Sequence, residues 1–218
     1  MLGVVFGVMG LGCAGVFLVG LVSGIQAARE RAAQLRGSTP LPSNLPVWSP
    51  DPSLSNQLAT DVTFDSYSLR LPSGYTPTNL PVSKQAPAGV RIQNWIWADA
   101  PAPDGTRRVI MAILAESTTR RHSNDLDGEV RAYLQGARRE AVGGQFIPGS
   151  TTKGQLMGQP FARVTYTVVS PQVSLHTITF LGFDGEKRML SLLFACKDAE
   201  GSEGYKLLET CLLSLKRR

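Results

Sequence analysis

Two histidines and three cysteines set the limits on what chemistry this 218-residue chain can carry. His122 falls in the polar run Thr118-Thr119-Arg120-Arg121-His122-Ser123, and His176 alternates with Ser174 and Ile178 on one face of a strand-like segment. A zinc site needs cysteine and histidine ligands at characteristic spacing, and neither HExxH nor CxxC occurs. No glycine-rich phosphate loop follows a strand, and no GxSxG nucleophile elbow is present. The sequence therefore offers no catalytic set, no cofactor-binding set and no metal site, and the expectation is a protein that is not an enzyme. A membrane-tethered enzyme using a pocket near His176 or His122 is the alternative.

Cys196 and Cys211 sit among Leu193-Phe194-Ala195 and Leu212-Leu213, surroundings that suit buried free thiols. A disulfide between them stays open for an oxidising compartment. Trp95 and Trp97 share one face of a strand with Arg91 and Gln93. Two readings apply: a helix covers the indoles as core, or they form an aromatic partner surface. The core reading is the stronger.

The charge distribution decides among partner classes. The formal charge is +5, yet residues 1–28 carry no charged side chain. Arg29, Glu30, Arg31 and Arg36 follow, and Lys216, Arg217 and Arg218 close the chain. Between these flanks 16 basic residues balance 16 acidic ones. Phosphate neutralisation would require a basic stripe on the folded body, so nucleic acid is excluded as a partner. The low charged fraction, 18%, reflects the uncharged start.

Residues 1–25, MLGVVFGVMGLGCAGVFLVGLVSGI, are long enough at about 1.5 Å per residue to cross the ~30 Å hydrocarbon layer. A secretory signal would begin with positive charge and have a shorter apolar core. A membrane helix is thus expected at 1–25, with cleavage after Val22-Ser23-Gly24 as the lesser reading. Cys13 reads as a small membrane-helix residue, because the apolar run continues well past it. Gly3/Gly7 and Gly20/Gly24 have the small-xxx-small spacing through which a second helix could approach. Residues 26–36 continue as a basic helix extension, in which Arg29, Arg31 and Arg36 would meet anionic lipid headgroups. Flanking arginines favour a cytoplasmic domain, but N-terminal anchors also hold domains outside, so sidedness stays open.

Residues 37–60 contain Pro40, Pro42, Pro46, Pro50 and Pro52 and read as an extended linker. Trp48 is the one residue in it suited to dock, on the domain or at the membrane interface. A domain is expected over 61–218. YSLRL (67–71) alternates apolar and polar residues, VRIQNWIW (90–97) places Val90, Ile92 and Ile96 on one face, and RVIMAILAE (108–116) is apolar on both faces. A helical pattern over 124–142 carries Leu126, Val130, Tyr133 and Ala137 on one stripe, with Asn124 as candidate cap. FARVTYTVV (161–169), VSLHTITFLGF (173–183) and KRMLSLLFAC (187–196) follow as strands, with Asp184-Gly185 as a tight hairpin. A last helix over 204–215 is capped by Ser202. Three strands, a helix, three strands and a helix give an α+β fold: an antiparallel sheet of about six strands sandwiched by helices, preceded by one N-terminal transmembrane helix.

YSLRLPSGY (67–75) resembles the opening strand and Leu-Pro-x-Gly-aromatic turn of the PsbP-like superfamily. Gly158-Gln159-Pro160-Phe161-Ala162-Arg163 is similar to the Gly-x-x-Ala-x-Arg pattern that begins the second half of that superfamily's sheet. Phe183-Asp184-Gly185 and the final Leu-Leu-Ser-Leu also fit. The superfamily includes the photosystem II extrinsic P subunit, a Ran-binding import factor and many bacterial domains of unknown function. The resemblance implies a sheet between helices and a binding or accessory role, and it carries no site residues. The expectation is a single-pass membrane protein that presents a non-catalytic module to membrane lipid and to an unknown protein partner.

Overall fold

The computed structural model describes residues 44–78, 89–117, 125–141, 144–184 and 188–218. The expected membrane helix 1–25, its glycine pairs, the extension with Arg29, Arg31 and Arg36, and His122 lie outside the described residues.

The β-branched and aromatic runs form the strands of the main sheet. Val90–Ala98 (β4) and Val109–Ser117 (β5) pair antiparallel through the Ala100–Gly105 turn, as the sequence predicts. Gln159–Val169 (β7), Ser174–Phe183 (β8) and Arg188–Cys196 (β9) follow the three predicted strands closely. Two long strands are not legible in the pattern, besides the two-residue strands at 76–77 and 216–217. Leu58–Phe64 (β1) pairs with Tyr67–Pro72 (β2) through a two-residue turn in which Asp65 takes φ +48°. Gln145–Leu156 (β6) pairs with β7, although its sequence holds Pro148, Gly149 and Gly154. Such a strand is held by the ladder of its neighbour and not by its own propensity. Its position explains the tolerance, since proline in a sheet belongs on an edge.

Thr76–Pro77 (β3) completes a seven-stranded sheet in the order β3-β4-β5-β9-β8-β7-β6, every pair antiparallel. Five of the about six expected strands lie in this sheet, joined by β3 and β6, whereas the expected strand at 67–71, β2, belongs to a separate sheet. Lys216–Arg217 (β10) pairs with β2, making a separate three-stranded sheet β1-β2-β10. β5, apolar on both faces, lies inside the large sheet as predicted.

Leu126–Glu140 (α1) lies on one face, where Leu126, Val130, Tyr133 and Ala137 meet Ile96, Met111, Val164 and Leu181. Its cap is Asp125, whose carboxylate accepts from the Gly128 N–H at 2.9 Å, one residue later than the sequence suggested. Buried between α1 and the sheet, the Tyr133 hydroxyl bonds the hydroxyls of Tyr166 at 3.1 Å and Thr179 at 2.5 Å. Glu203–Leu213 (α2) lies on the other face, capped by Ser202 as predicted. There the small sheet shares the cover: Phe64, Tyr67, Leu69 and Leu71 join Tyr205, Leu208 and Leu212 over Ile110, Phe180, Leu192 and Phe194. The sheet is therefore covered by a helix on one side and by a helix plus a small sheet on the other.

The proline-rich stretch is not a free spacer over its described part. Trp48 donates its N–H to the Gln155 carbonyl at 2.9 Å, and the Gln155 N–H donates to Pro46 at 2.8 Å. The Trp48 ring stands edge-on to Phe180, with centroids 5.3 Å apart. Leu54 and Leu58 are buried as well, so the body begins before residue 61. Pro46 lacks an N–H, which helps confine this parallel contact to a single bridge. Gly154 is what lets the indole lie flat against β6, because a Cβ there would overlap the ring. Gly154→Ala is expected to undock residues 46–48 while leaving the sheet intact. Hydrogen exchange would check it: faster exchange at the Trp48 amide with unchanged protection in β8 and β9.

Candidate functional site

The two indoles singled out by the sequence face the small sheet. Trp97 is 4% exposed, and Phe64 of β1 packs against Trp95 and Trp97 at centroid distances of 5.2 and 5.8 Å. The cover over the pair is a strand hairpin, not the expected helix. Trp95 is half-buried and lines a hollow of about 390 Å³ with Val62, Pro77 and Asn94. His176 is half-buried on β8, its Nδ1 3.1 Å from the Thr167 hydroxyl, and it lines none of the three principal hollows among the described residues.

Chemistry converges elsewhere, at the end of the sheet where α2 begins. The base of the β4–β5 hairpin supplies Asp99 and Arg108. The turn after β2 supplies Ser73 and Tyr75, and a short turn at Ser55–Gln57 supplies Asn56 and Gln57. With Pro72, Leu207 and Leu208 these residues line a cleft of about 430 Å³. Asp99 and Arg108 also form the wall of an adjoining hollow that holds Asp104, Arg107, Lys197 and Asp198.

The local folding reason is the hairpin ladder. The Asp99 N–H donates to the Arg108 carbonyl at 3.2 Å, and the Arg108 N–H returns a bond to Asp99 Oδ1 at 2.8 Å. This pins the Asp99 side chain at the cleft mouth. Arg108 turns toward Asp198 instead, with Nε 2.8 Å from Oδ2 and Nη2 3.3 Å from Oδ1. Asp104 pairs with Lys197. Asp198 rests against Gly204 in the first turn of α2, where a Cβ would come 3.0 Å from its carboxyl carbon.

Two groups in the cleft sit against their solvation preferences. Tyr75 is 8% exposed and its hydroxyl has no hydrogen-bond partner among the described residues. Burial, reinforced by Asp99, pushes its phenol well above the usual range. Asp99 is half-buried, and desolvation raises its carboxyl above the usual carboxylate value despite the Arg108 N–H and the pull of Arg108 and Arg107. By contrast, hydrogen bonds from Lys197 and Thr106 hold Asp104 far below that value.

The Asp99 shift has a consequence for stability. Its protonated form is favoured in the folded state, so its contribution is intact below the ordinary carboxylate pKa of about 3.9 and is lost as pH rises through the raised value. Asp99→Asn keeps the acceptor for the Arg108 N–H and removes the ionisable group. The variant is expected to melt above the wild type at pH 7 and level with it near pH 3, read by circular dichroism melts across that range.

Cys196 and Cys211 are free and buried, and burial raises the Cys196 thiol to about 12 and Cys211 higher still. Neither is poised as a nucleophile. Among the described residues no group of three metal-ligating side chains occurs. The sequence reading takes Arg108 as the first residue of the strand 108–116 and assigns Asp99 no role. The signal that could have found them is slight: an aspartate directly after an apolar strand end and an arginine directly before the next strand, which antiparallel pairing must bring together.

No protein-family model matches the sequence, and no curated protein matches it. Solved structures do. The solution structure of cyanobacterial PsbP (CyanoP) from Synechocystis sp. PCC 6803 superposes with a TM-score of 0.53 at 14% identity, covering 84% of this chain and 99% of that one. The Saccharomyces cerevisiae Ran-binding protein Mog1p matches at 0.47 and 11%, covering 72% of this chain and 94% of its own. LpqN of Mycobacterium tuberculosis, described as involved in cell envelope biogenesis, matches at 0.42 and 19%, over 68% and 79%. The chain has a PsbP-like α+β fold, as the Leu-Pro-x-Gly-aromatic turn at 71–75 suggested.

Proposed function

We propose that this protein is a membrane-anchored, non-catalytic binding module. Residues 1–25 hold it in the bilayer, Arg29, Arg31 and Arg36 lie at the headgroups, and the PsbP-like domain is presented to a protein partner. The observation that carries the binding reading is the cleft at Tyr75, Asp99 and Arg108, in which Asp99 is met by a backbone N–H while Arg108 is turned to Asp198. His176 is engaged by Thr167 and lies apart from this cleft, which weighs against the enzyme alternative.

The anchor is tested by fractionation. The full chain is expected to resist carbonate extraction from membranes, and a chain lacking residues 2–25 to move wholly to the soluble fraction. Full-length protein released by carbonate would overturn the anchor. Crosslinking in native membranes, followed by detergent solubilisation and capture, tests the module. A reproducible crosslinked partner is expected, and its absence removes the binding reading.

A further inference from the structure

We propose that the cleft at Asp99 is the seat for a basic side chain, a lysine or arginine presented by the protein partner; this rests on the binding-module reading above. The argument is one of a carboxylate without an ion pair. Three aspartates surround the paired hollows at this end of the sheet. Asp198 is taken by Arg108 through two nitrogens, and Asp104 by Lys197. Among the described residues no side-chain cation lies within ion-pair distance of Asp99, and the Arg108 backbone N–H donates to its Oδ1. Arg107 lines the neighbouring hollow and acts on Asp99 only from a distance. Arg108, the one cation lining the cleft itself, is turned away toward Asp198.

The walls suit the same occupant. Pro72, Leu207 and Leu208 offer apolar surface to a long aliphatic stem, and Asn56 and Gln57 stand at the exposed rim. Lysine and arginine bury such a stem while delivering charge at its tip. The volume of about 430 Å³ admits a single long side chain together with water. A partly desolvated carboxylate met by a cation inside such a pocket is an arrangement typical of an anchoring contact, because the field there is less screened than at an open surface. An anionic ligand is disfavoured by the same inventory, since the one cation lining the cleft is already neutralised.

The test uses the ¹⁵N-labelled full chain in dodecyl maltoside micelles, titrated with a glycine–serine peptide bearing arginines and with the same peptide bearing citrulline. Saturable amide shifts at Tyr75, Asp99 and Leu208 are expected with arginine and none with citrulline. Asp99→Asn is expected to weaken binding about tenfold or more, which corresponds to about 1.4 kcal/mol. Asp61→Asn removes an exposed carboxylate of β1 that lines neither hollow and should leave binding unchanged. Equal binding by citrulline, equal affinity of Asp99→Asn, or no shift at these amides would overturn the proposal. Free arginine amide or spermidine saturating the same amides as tightly as the peptide would overturn its protein-partner part. If Asp99→Asn still crosslinks the wild-type partner in membranes with equal yield, the seat is wrong and the module stands. If neither chain retains a partner, the module reading falls instead.

Discussion

Truncating Phe180 to alanine is expected to cost about 3–5 kcal/mol, a large share of the roughly 5–15 kcal/mol that holds a typical domain together. Phe180 has no exposed surface and sits mid-strand in β8, hydrogen-bonded on both sides to β7 and β9. Its ring is part of the core shared by α2 and the small sheet, and it also receives the edge of Trp48. Removing it leaves a cavity that backbone locked in two ladders cannot close, and it loosens the 46–48 strap at the same time. Urea denaturation should show a lower midpoint with the slope retained. A loss under about 1 kcal/mol would mean that the neighbours collapse into the space, contrary to the rigidity argued here.

Gly182→Ala is the second large effect, and it acts by overfilling. Gly182 pairs with Phe161 across β7–β8, and the Phe161 ring lies over it: a Cβ would come 2.5–2.6 Å from three ring atoms. Phe161 is 1% exposed and cannot swing to solvent. Overpacking of this kind costs about 1–3 kcal/mol. The expected result is a melting temperature several degrees below wild type. Gly158→Ala is an instructive comparison, because it also destabilises but through its backbone, at φ +71° with open space around it. Adding Phe161→Leu to each separates the two mechanisms: the smaller side chain should recover part of the loss at Gly182 and none at Gly158.

Much of the fold could be read from residue types because its signals are local. β4, β5, β7, β8 and β9 each carry enough β-branched and aromatic residues to declare a strand, and Ser202 marks the start of α2 by a cap that depends on three neighbouring residues. β6 was illegible for the opposite reason: Pro148, Gly149 and Gly154 argue against a strand, and only pairing with β7 holds it extended. β1 escaped notice because Asp61 and its exposed neighbours blur the alternation, and it is fixed by Leu58 and Phe64 entering a core built by other elements.

The candidate site was the least legible part. Hairpin pairing brings Asp99 and Arg108 together, but Tyr75, that pair and Leu208 come from three distant segments, so no single motif or spacing joins the whole set. Trp95 and Trp97 advertised themselves by type, yet Trp97 is consumed by packing against Phe64.

Composition and pattern alone determined an α+β domain with a neutral body, an apolar uncharged N-terminal stretch, and two thiols suited to burial, since charge balance and hydrophobic periodicity are properties of the chain itself. Tertiary structure decided which carboxylate lacks a cation. Asp198 and Asp104 find Arg108 and Lys197 only because β4–β5, β9 and α2 meet at one end of the sheet, and Asp99 is left over by the same geometry. Ion pairing depends on distances of a few ångströms between residues brought together by the fold, and that information is not contained in any local stretch of the sequence.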